Sequence, residues 1–195
     1  MTRIKFCGLK TLDDIRAANE ILPEYVGFVC AARSKRFVTP AQAQKLRAAL
    51  SGKICAVGVF VEEKISAVAE LLNAGIIDAA QLHGSEDDAY IKNLRALSGK
   101  PIIKAFKVHA AEESSADFIL IDAGAGDGKV FDWSLLKNFR REYFLAGGLT
   151  PENVGDAIKL LNPFAVDVSS GIETDGRKDF FKMATFAEVV RRKNL

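Results

Sequence analysis

Short apolar runs rich in β-branched residues recur along the whole chain and alternate with segments of mixed polarity. Runs that are apolar almost throughout are typical of strands buried on both faces of a sheet. Eight runs fit this description and are predicted as strands: 3–7, 25–29, 54–60, 78–83, 101–106, 118–122, 143–147 and 164–168. Their near-even spacing leaves room for a helix after most of them.

The segments between these runs carry apolar residues at helical spacing. Thr39-Pro40 and Thr150-Pro151 each place an N-cap residue before a proline, so a helix is predicted to begin at each pair. Further helices are predicted at 12–22, 63–73, 87–97 and 179–192. The gap between the predicted strand ends at 106 and 122 is too short for a full helix and a strand, so only a helical stub is expected within His109–Ser115.

Strands that alternate with helices predict parallel pairing through right-handed crossovers. The near-even spacing of the units favours a closed barrel over an open doubly wound sheet. No linker or low-complexity segment divides the 195 residues. The expected fold is therefore α/β, a single-domain parallel (βα)8 TIM barrel over residues 1–195 with the fifth helix short or absent.

Several predicted strands carry polar residues near their C-terminal ends. Side chains two apart on a strand share a face, and the outer face of a barrel packs on helices. The polar face is therefore predicted to line the barrel interior towards its C-terminal mouth. The residues concerned are Lys5 with Cys7, Gln81 with His83, Asp167 with Ser169, and the single charges Lys104 and Asp122. The two lysines and the two aspartates balance in charge, as a polar interior requires.

The composition argues against several classes of protein. Hydrophobic residues make up 49% and charged residues 27%, with a net charge of +2, so nucleic acid is not an expected partner. No apolar run is long enough to span a membrane, and the first residues do not form a signal peptide. Cysteines at 7, 30 and 55 and the isolated His83 and His109 form no zinc pattern. We expect a cytoplasmic protein with no metal site.

Taken one at a time, the candidate reactive residues have ordinary structural explanations. A cysteine at a strand end, such as Cys7, is more often an inert buried residue. Asp122 before Ala-Gly-Ala-Gly could be a turn residue, and Gly147-Gly148 could simply cap a turn. Arg36 lies in a charged loop that would ordinarily be solvated. The glycine turns after strands seven and eight, however, stand where this kind of barrel usually binds phosphate.

The motifs at the strand ends resemble those of the phosphoribosylanthranilate isomerase family from one end of the chain to the other. Each motif alone is weak, but their order and spacing are highly specific. The matching stretches are 5–9 (KFCGL), 26–28 (VGF), 34–36 (SKR), 57–60 (VGVF), 81–84 (QLHG), 128–133 (GKVFDW), 146–149 (AGGL) with 151–154 (PENV), and 164–171 (FAVDVSSG).

The resemblance implies an acid/base reaction. That family converts N-(5-phosphoribosyl)anthranilate to 1-(2-carboxyphenylamino)-1-deoxyribulose 5-phosphate in tryptophan biosynthesis, an Amadori rearrangement that needs no metal or cofactor. By resemblance, Cys7 is the general base and Asp122 the general acid. These roles call for a lowered pKa at Cys7, with Lys5 as the candidate cation, and a raised pKa at Asp122.

The resemblance also implies how the small sugar-phosphate substrate binds. Arg36 is expected to hold the substrate carboxylate with its guanidinium fork. His83 is expected to be structural or a minor substrate contact, and Asp167 a ribose contact or only the partner of Lys5. The phosphate is expected on Gly147, Gly148, Ser170, Gly171, Gly126 and Gly128. The rest of the pocket is expected to include Lys5, Gln81, His83 and Asp167.

One loop departs from the family pattern, and some alternatives stay open. The loop after strand six is shortened, with Ala125 and Asp127 in place of a glycine and a hydroxyl residue, so Asp127 should point away from a phosphate. Asp117 and Asp127 are alternative acids. Rival functions are the related histidine-pathway isomerase, indole-glycerol-phosphate synthase and a non-catalytic sugar-phosphate binding protein on the same scaffold. The sequence allows a homodimer or a monomer.

Overall fold

The computed structural model describes residues 1–107, 114–122, 133–136 and 139–193. Eight parallel strands pair in the order β1 to β8, and β8 pairs with β1 to close the barrel. Every predicted strand is present, with bounds that differ by at most one residue at either end. The strands are β1 Arg3–Cys7, β2 Tyr25–Val29, β3 Cys55–Phe60, β4 Ala79–Leu82, β5 Ile102–Lys107, β6 Phe118–Asp122, β7 Tyr143–Ala146 and β8 Ala165–Val168.

Helices surround the barrel in the positions that the amphipathic segments predict. They are α1 Leu12–Ile21, α2 Pro40–Ala49, α3 Ile65–Asn73, α4 Asp88–Leu97, α5 Val154–Leu161 and α6 Phe180–Lys193. A 3-10 turn at Trp133–Leu136 follows β6, and a second one at Ser170–Ile172 follows β8. The chain then forms a short antiparallel hairpin, β9 Glu173–Thr174 with β10 Arg177–Lys178, before α6.

Two predictions about helices have different outcomes. Thr39 caps α2 as expected, since its side chain accepts a hydrogen bond from the backbone N–H of Gln42 and Pro40 begins the helix. The predicted helix start at Thr150-Pro151 is wrong, because α5 begins only at Val154. Asn153 explains the delay: its side chain accepts from the Thr150 amide and donates to the Gly148 carbonyl, which holds 150–153 in a turn. The predicted stub at His109–Ser115 lies mostly outside the described residues.

Aromatic side chains fill the N-terminal half of the barrel interior. Phe144 contacts Tyr25, Phe118 and Phe164, with ring centroids 5.3, 5.9 and 5.4 Å apart. These four residues lie at or next to the first residues of their strands, so they close one end of the barrel. Polar interior residues can therefore meet solvent only at the C-terminal mouth. Among the described residues, no helix has the length and apolar character needed to cross a membrane.

Lys104 is an exception to the predicted polar interior. Its neighbours Ile103 and Ala105 belong to the inner cluster, so the alternation of side chains places Lys104 on the outer face of β5. There it is buried and donates to the Gly84 carbonyl and to Glu86, at 2.7 and 3.0 Å. The prediction that Lys104 balances the interior aspartates is therefore wrong, and its partner is a loop carboxylate.

Candidate active site

A cavity of about 400 Å³ opens at the C-terminal mouth of the barrel. A volume of this order suits a small-molecule ligand. It brings together most of the residues that the sequence singles out, from strands on all sides of the barrel. Its lining includes Cys7, Arg36, Gln81, His83, Asp122, Gly147, Gly148, Asp167, Ser169 and Ser170.

Cys7 ends β1 and is 9% exposed at the edge of this cavity. Gly27 on the neighbouring strand makes room for it, because a Cβ there would lie 2.8 Å from the Cys7 sulfur. Burial raises the pKa of the Cys7 thiol above its ordinary value, and the nearby cations Lys5 and Lys178 only partly oppose that effect. The expectation of a lowered pKa is therefore wrong, because the raised pKa favours the thiol form at neutral pH.

Lys5 is fully buried beneath Cys7 and pairs with Asp167, so the prediction that it lines the pocket is wrong. Its Nζ atom lies 3.0 Å from each carboxylate oxygen. Burial lowers the pKa of Lys5, because it disfavours the charged amine. The charge attraction and hydrogen bonding of Asp167 and Cys7 outweigh this effect, so the pKa of Lys5 is raised. Asp167 is thus the partner of Lys5 and also lines the cavity. Because this carboxylate offsets the charge of Lys5, the lysine lowers the Cys7 pKa less than the sequence suggested.

Asp122 ends β6 on the far side of the mouth from Cys7, since β8 and β7 separate the two strands around the closed sheet. Its Oδ2 atom lies 3.4 Å from Nε2 of His83. The Gln81 Nε2 atom lies 2.8 Å from Nδ1 of the same ring. With the Gln81 amide nitrogen as the donor, Nδ1 accepts, and this arrangement leaves Nε2 to carry the ring proton that faces Asp122.

The alternative acid Asp117 is at the wrong end of the barrel. It precedes β6, accepts a hydrogen bond from the Ile102 amide and pairs with Arg95. It therefore holds the N-terminal edge of the sheet and does not reach the mouth. Other expectations lie outside the described residues, namely those for Gly126, Gly128, Asp127 and His109.

Two glycine turns form the wall of the cavity beyond β7 and β8. Gly147 and Gly148 have positive φ angles, 96° and 66°, which a residue with a Cβ rarely adopts. Gly171 approaches the first turn so closely that a Cβ would lie 1.9 Å from the Leu149 carbonyl oxygen. The Asn153 side chain, bonded to the Gly148 carbonyl, fixes the turn from behind. Gly147, Gly148 and Ser170 line the cavity, and Gly171 packs against the first turn without being one of the lining residues.

Arg36 reaches the cavity rim from the loop after β2, but its fork already holds a carboxylate. Nε and Nη2 donate to the two oxygens of Glu173, each at 2.7 Å. Lys178 donates to the same Glu173 carboxylate at 2.7 Å. Neither Glu173 nor Lys178 was among the predicted site residues. Their only signal in the sequence is that they follow the Ser-Ser-Gly turn after strand eight.

Comparison with known proteins gives a consistent result. A family model described as N-(5'phosphoribosyl)anthranilate (PRA) isomerase matches residues 4–189. A protein from Endomicrobium trichonymphae named N-(5'-phosphoribosyl)anthranilate isomerase is 43% identical over 199 residues, covering 98% of this chain and 99% of that protein. The crystal structure of phosphoribosyl anthranilate isomerase from Thermotoga maritima is similar with a TM-score of 0.88 at 33% identity, covering 98% of this chain and 100% of that one. A crystal structure of such an isomerase in complex with reduced 1-(o-carboxyphenylamino)-1-deoxyribulose 5-phosphate has a TM-score of 0.85 at 32% identity, with the same coverage.

Proposed function

The chain belongs to the N-(5'-phosphoribosyl)anthranilate isomerase family of tryptophan biosynthesis, and we propose that Cys7 and Asp122 transfer the protons of its reaction. The reaction opens the ribose ring and moves a hydrogen from C2 to give a 1-amino-1-deoxyketose. Such a change needs one group that gives a proton and another that takes one, on different sides of the substrate. The placement of Cys7 and Asp122 across one cavity is the observation that carries the proposal.

Asp122 acts as the general acid on the ring oxygen. Protonation there breaks the bond between that oxygen and C1, and the nitrogen lone pair forms the Schiff base. His83 supports this role, because its Nε2 proton faces Asp122 Oδ2 and can stabilise the carboxylate left after proton transfer. Gln81 holds the ring in that orientation. We predict that the pKa of Asp122 is raised when the substrate is bound, because the negative phosphate favours the protonated acid.

Cys7 acts as the general base on C2. The thiolate takes the C2 proton, and the electrons left behind form the enolamine, which tautomerises to the ketone. Because burial raises the Cys7 pKa, the thiolate that this role needs is a minor form of Cys7 at neutral pH. Lys5 and Lys178 are the described cations that favour the thiolate. The working protonation state is therefore the less populated one, in which Asp122 holds the proton and Cys7 is the thiolate.

The substrate is anchored at both ends. Its phosphate lies on the backbone of the two glycine turns, where Gly147, Gly148 and Ser170 line the cavity and Gly171 packs against the first turn. Its carboxylate binds Arg36 at the rim of the cavity. Between these anchors, Asp167 and Gln81 face the ribose. The Gln81 Oε1 atom is buried and has no hydrogen-bond partner among the described residues, so it is suited to accept from a ribose hydroxyl.

Turnover of phosphoribosylanthranilate, followed by loss of the anthranilate fluorescence, tests the activity. We expect conversion without added metal or cofactor. A protein that binds this substrate but does not convert it would support the non-catalytic alternative on the same scaffold. Conversion of only the histidine-pathway substrate would overturn the assignment of substrate. We propose the cytoplasm as the location of the protein, and a monomer or a homodimer as its oligomeric state.

A further inference from the structure

Contacts within the protein hold Arg36 along its whole length. Its stem crosses Gly8, where a Cβ would lie 2.3 Å from the Arg36 Cδ atom, and its amide bonds the Ser34 hydroxyl. Its fork is bonded through Nε and Nη2 to Glu173, whose side chain is 9% exposed. A guanidinium has five N–H donors. Glu173 accepts from the side edge of the guanidinium, which is formed by Nε and Nη2. The end edge, formed by Nη1 and Nη2, is left for another acceptor.

We propose that Glu173 is a positioning residue that fixes which edge of Arg36 meets the substrate carboxylate. This inference rests on the proposed role of Arg36. A long arginine side chain loses rotamer freedom when it binds, and this loss weakens binding. The bonds to Glu173 bring about that ordering within the protein itself, so the end edge of the fork does not depend on a ligand for its orientation.

Lys178 makes this arrangement compatible with an anionic ligand. A carboxylate beside Arg36 would on its own cancel the arginine charge and repel a second carboxylate. Lys178 is 3% exposed and donates to Glu173 and to the Ser169 carbonyl, at 2.7 and 2.9 Å. One carboxylate therefore stands between two cations, and the cluster keeps a net positive charge. Bonds from Arg36 and Lys178 outweigh the effect of burial and lower the pKa of Glu173 to about 2, so it stays ionised.

Glu173 would in this way contribute to substrate specificity. A fixed planar fork selects a planar carboxylate over a neutral group at the same position. The contribution of Glu173 should therefore depend on whether the substrate carries that carboxylate. A purely structural role would give an equal loss with any substrate.

The test compares Glu173→Gln with the parent on phosphoribosylanthranilate and on phosphoribosylaniline, which lacks the carboxylate. We expect KM for the first substrate to rise about tenfold, as when one charged contact loses its orientation, with kcat nearly unchanged. Constants for the aniline substrate should stay within about twofold of the parent. Glu188→Gln is the matched control, because Glu188 pairs with Arg192 on the exposed face of α6. Should Glu173→Gln fail to fold, Glu173→Asp keeps the charge but is too short for both bonds, and the same comparison applies.

The outcomes separate this inference from the role of Arg36. An equal loss on both substrates, or no loss on either, would overturn the positioning role of Glu173. Arg36→Met run beside it should abolish the preference for the carboxylate substrate. If Arg36→Met keeps that preference, the carboxylate role of Arg36 is wrong and the inference about Glu173 fails with it. If Arg36→Met loses the preference while Glu173→Gln keeps it, only the inference about Glu173 fails.

Discussion

The Lys5–Asp167 pair gives a prediction about stability whose size follows from its geometry. Lys5 is 0% exposed and Asp167 is 7% exposed, and the amine lies 3.0 Å from each carboxylate oxygen. Lys5→Met removes the cation and leaves a buried carboxylate unpaired. Removing one partner of a buried pair costs about 3–5 kcal/mol. Because Asp167 also lines the open cavity, water can reach it, and we expect the lower end, about 3 kcal/mol.

Urea unfolding of three variants measures the change in the free energy of unfolding, and thermal unfolding of the same variants measures Tm. Lys5→Met should lower the free energy of unfolding by about 3 kcal/mol and Tm by roughly 6–12 °C in a protein of this size. Lys5→Met with Asp167→Leu should recover most of that loss, because no unpaired charge remains. Arg16→Met is the control, since Arg16 and its partner Asp13 are 78% and 85% exposed, and its midpoint should not move.

The double variant decides whether the reasoning holds. If it is as unstable as Lys5→Met, the loss comes from packing and not from an unpaired charge. If Lys5→Met is as stable as the parent, the pair contributes nothing and the account of the interior is wrong.

Other predictions concern the cavity itself. Arg36→Ala should weaken substrate binding by about 1.5–3 kcal/mol with a smaller effect on kcat, and parental steady-state constants would contradict the anchoring role. Gly171→Ala forces a Cβ against the Leu149 carbonyl, so it should lower the free energy of unfolding by about 1–3 kcal/mol and weaken the binding of inorganic phosphate. Gly52→Ala is the control, because a Cβ there meets open space and should change neither quantity. A raised Cys7 pKa means that the thiolate fraction is small at pH 7 and grows as pH rises, so alkylation of Cys7 read by peptide mass should still accelerate above pH 9. A plateau below pH 8 would contradict it.

The fold was accessible from the sequence because its signals are local. Each strand is a short apolar run, and Thr39-Pro40 at the start of α2 is a cap whose partners lie within the next turn. The wrong helix start at Thr150 came from a side chain outside that local rule. Asn153 bonds backward to the turn, so a Thr-Pro pair that favours a helix start is held in a loop.

The residues of the site were predictable, but their electrostatics were not. Alternation along the strands placed Cys7, Gln81 and Asp122 on the inner face correctly. The partners that set their charges come from distant parts of the chain: Asp167 is 162 residues from Lys5, and Glu173 is 137 residues from Arg36. No spacing rule reveals such pairs, so the direction of the Cys7 pKa shift was wrong and the anchor of Arg36 was missed.

The central claim is that Cys7 and Asp122 are the base and the acid. The most direct test is kcat for phosphoribosylanthranilate in folded Cys7→Ser and Asp122→Asn proteins, beside the controls Cys55→Ser and Asp117→Asn, which change the same residue types away from the mouth. A positioned acid or base contributes about 10²–10⁴-fold, so each site variant should lose at least about 10²-fold in kcat while its Tm moves little. The controls should keep parental kcat. Near-parental kcat in either site variant would remove that residue from the mechanism.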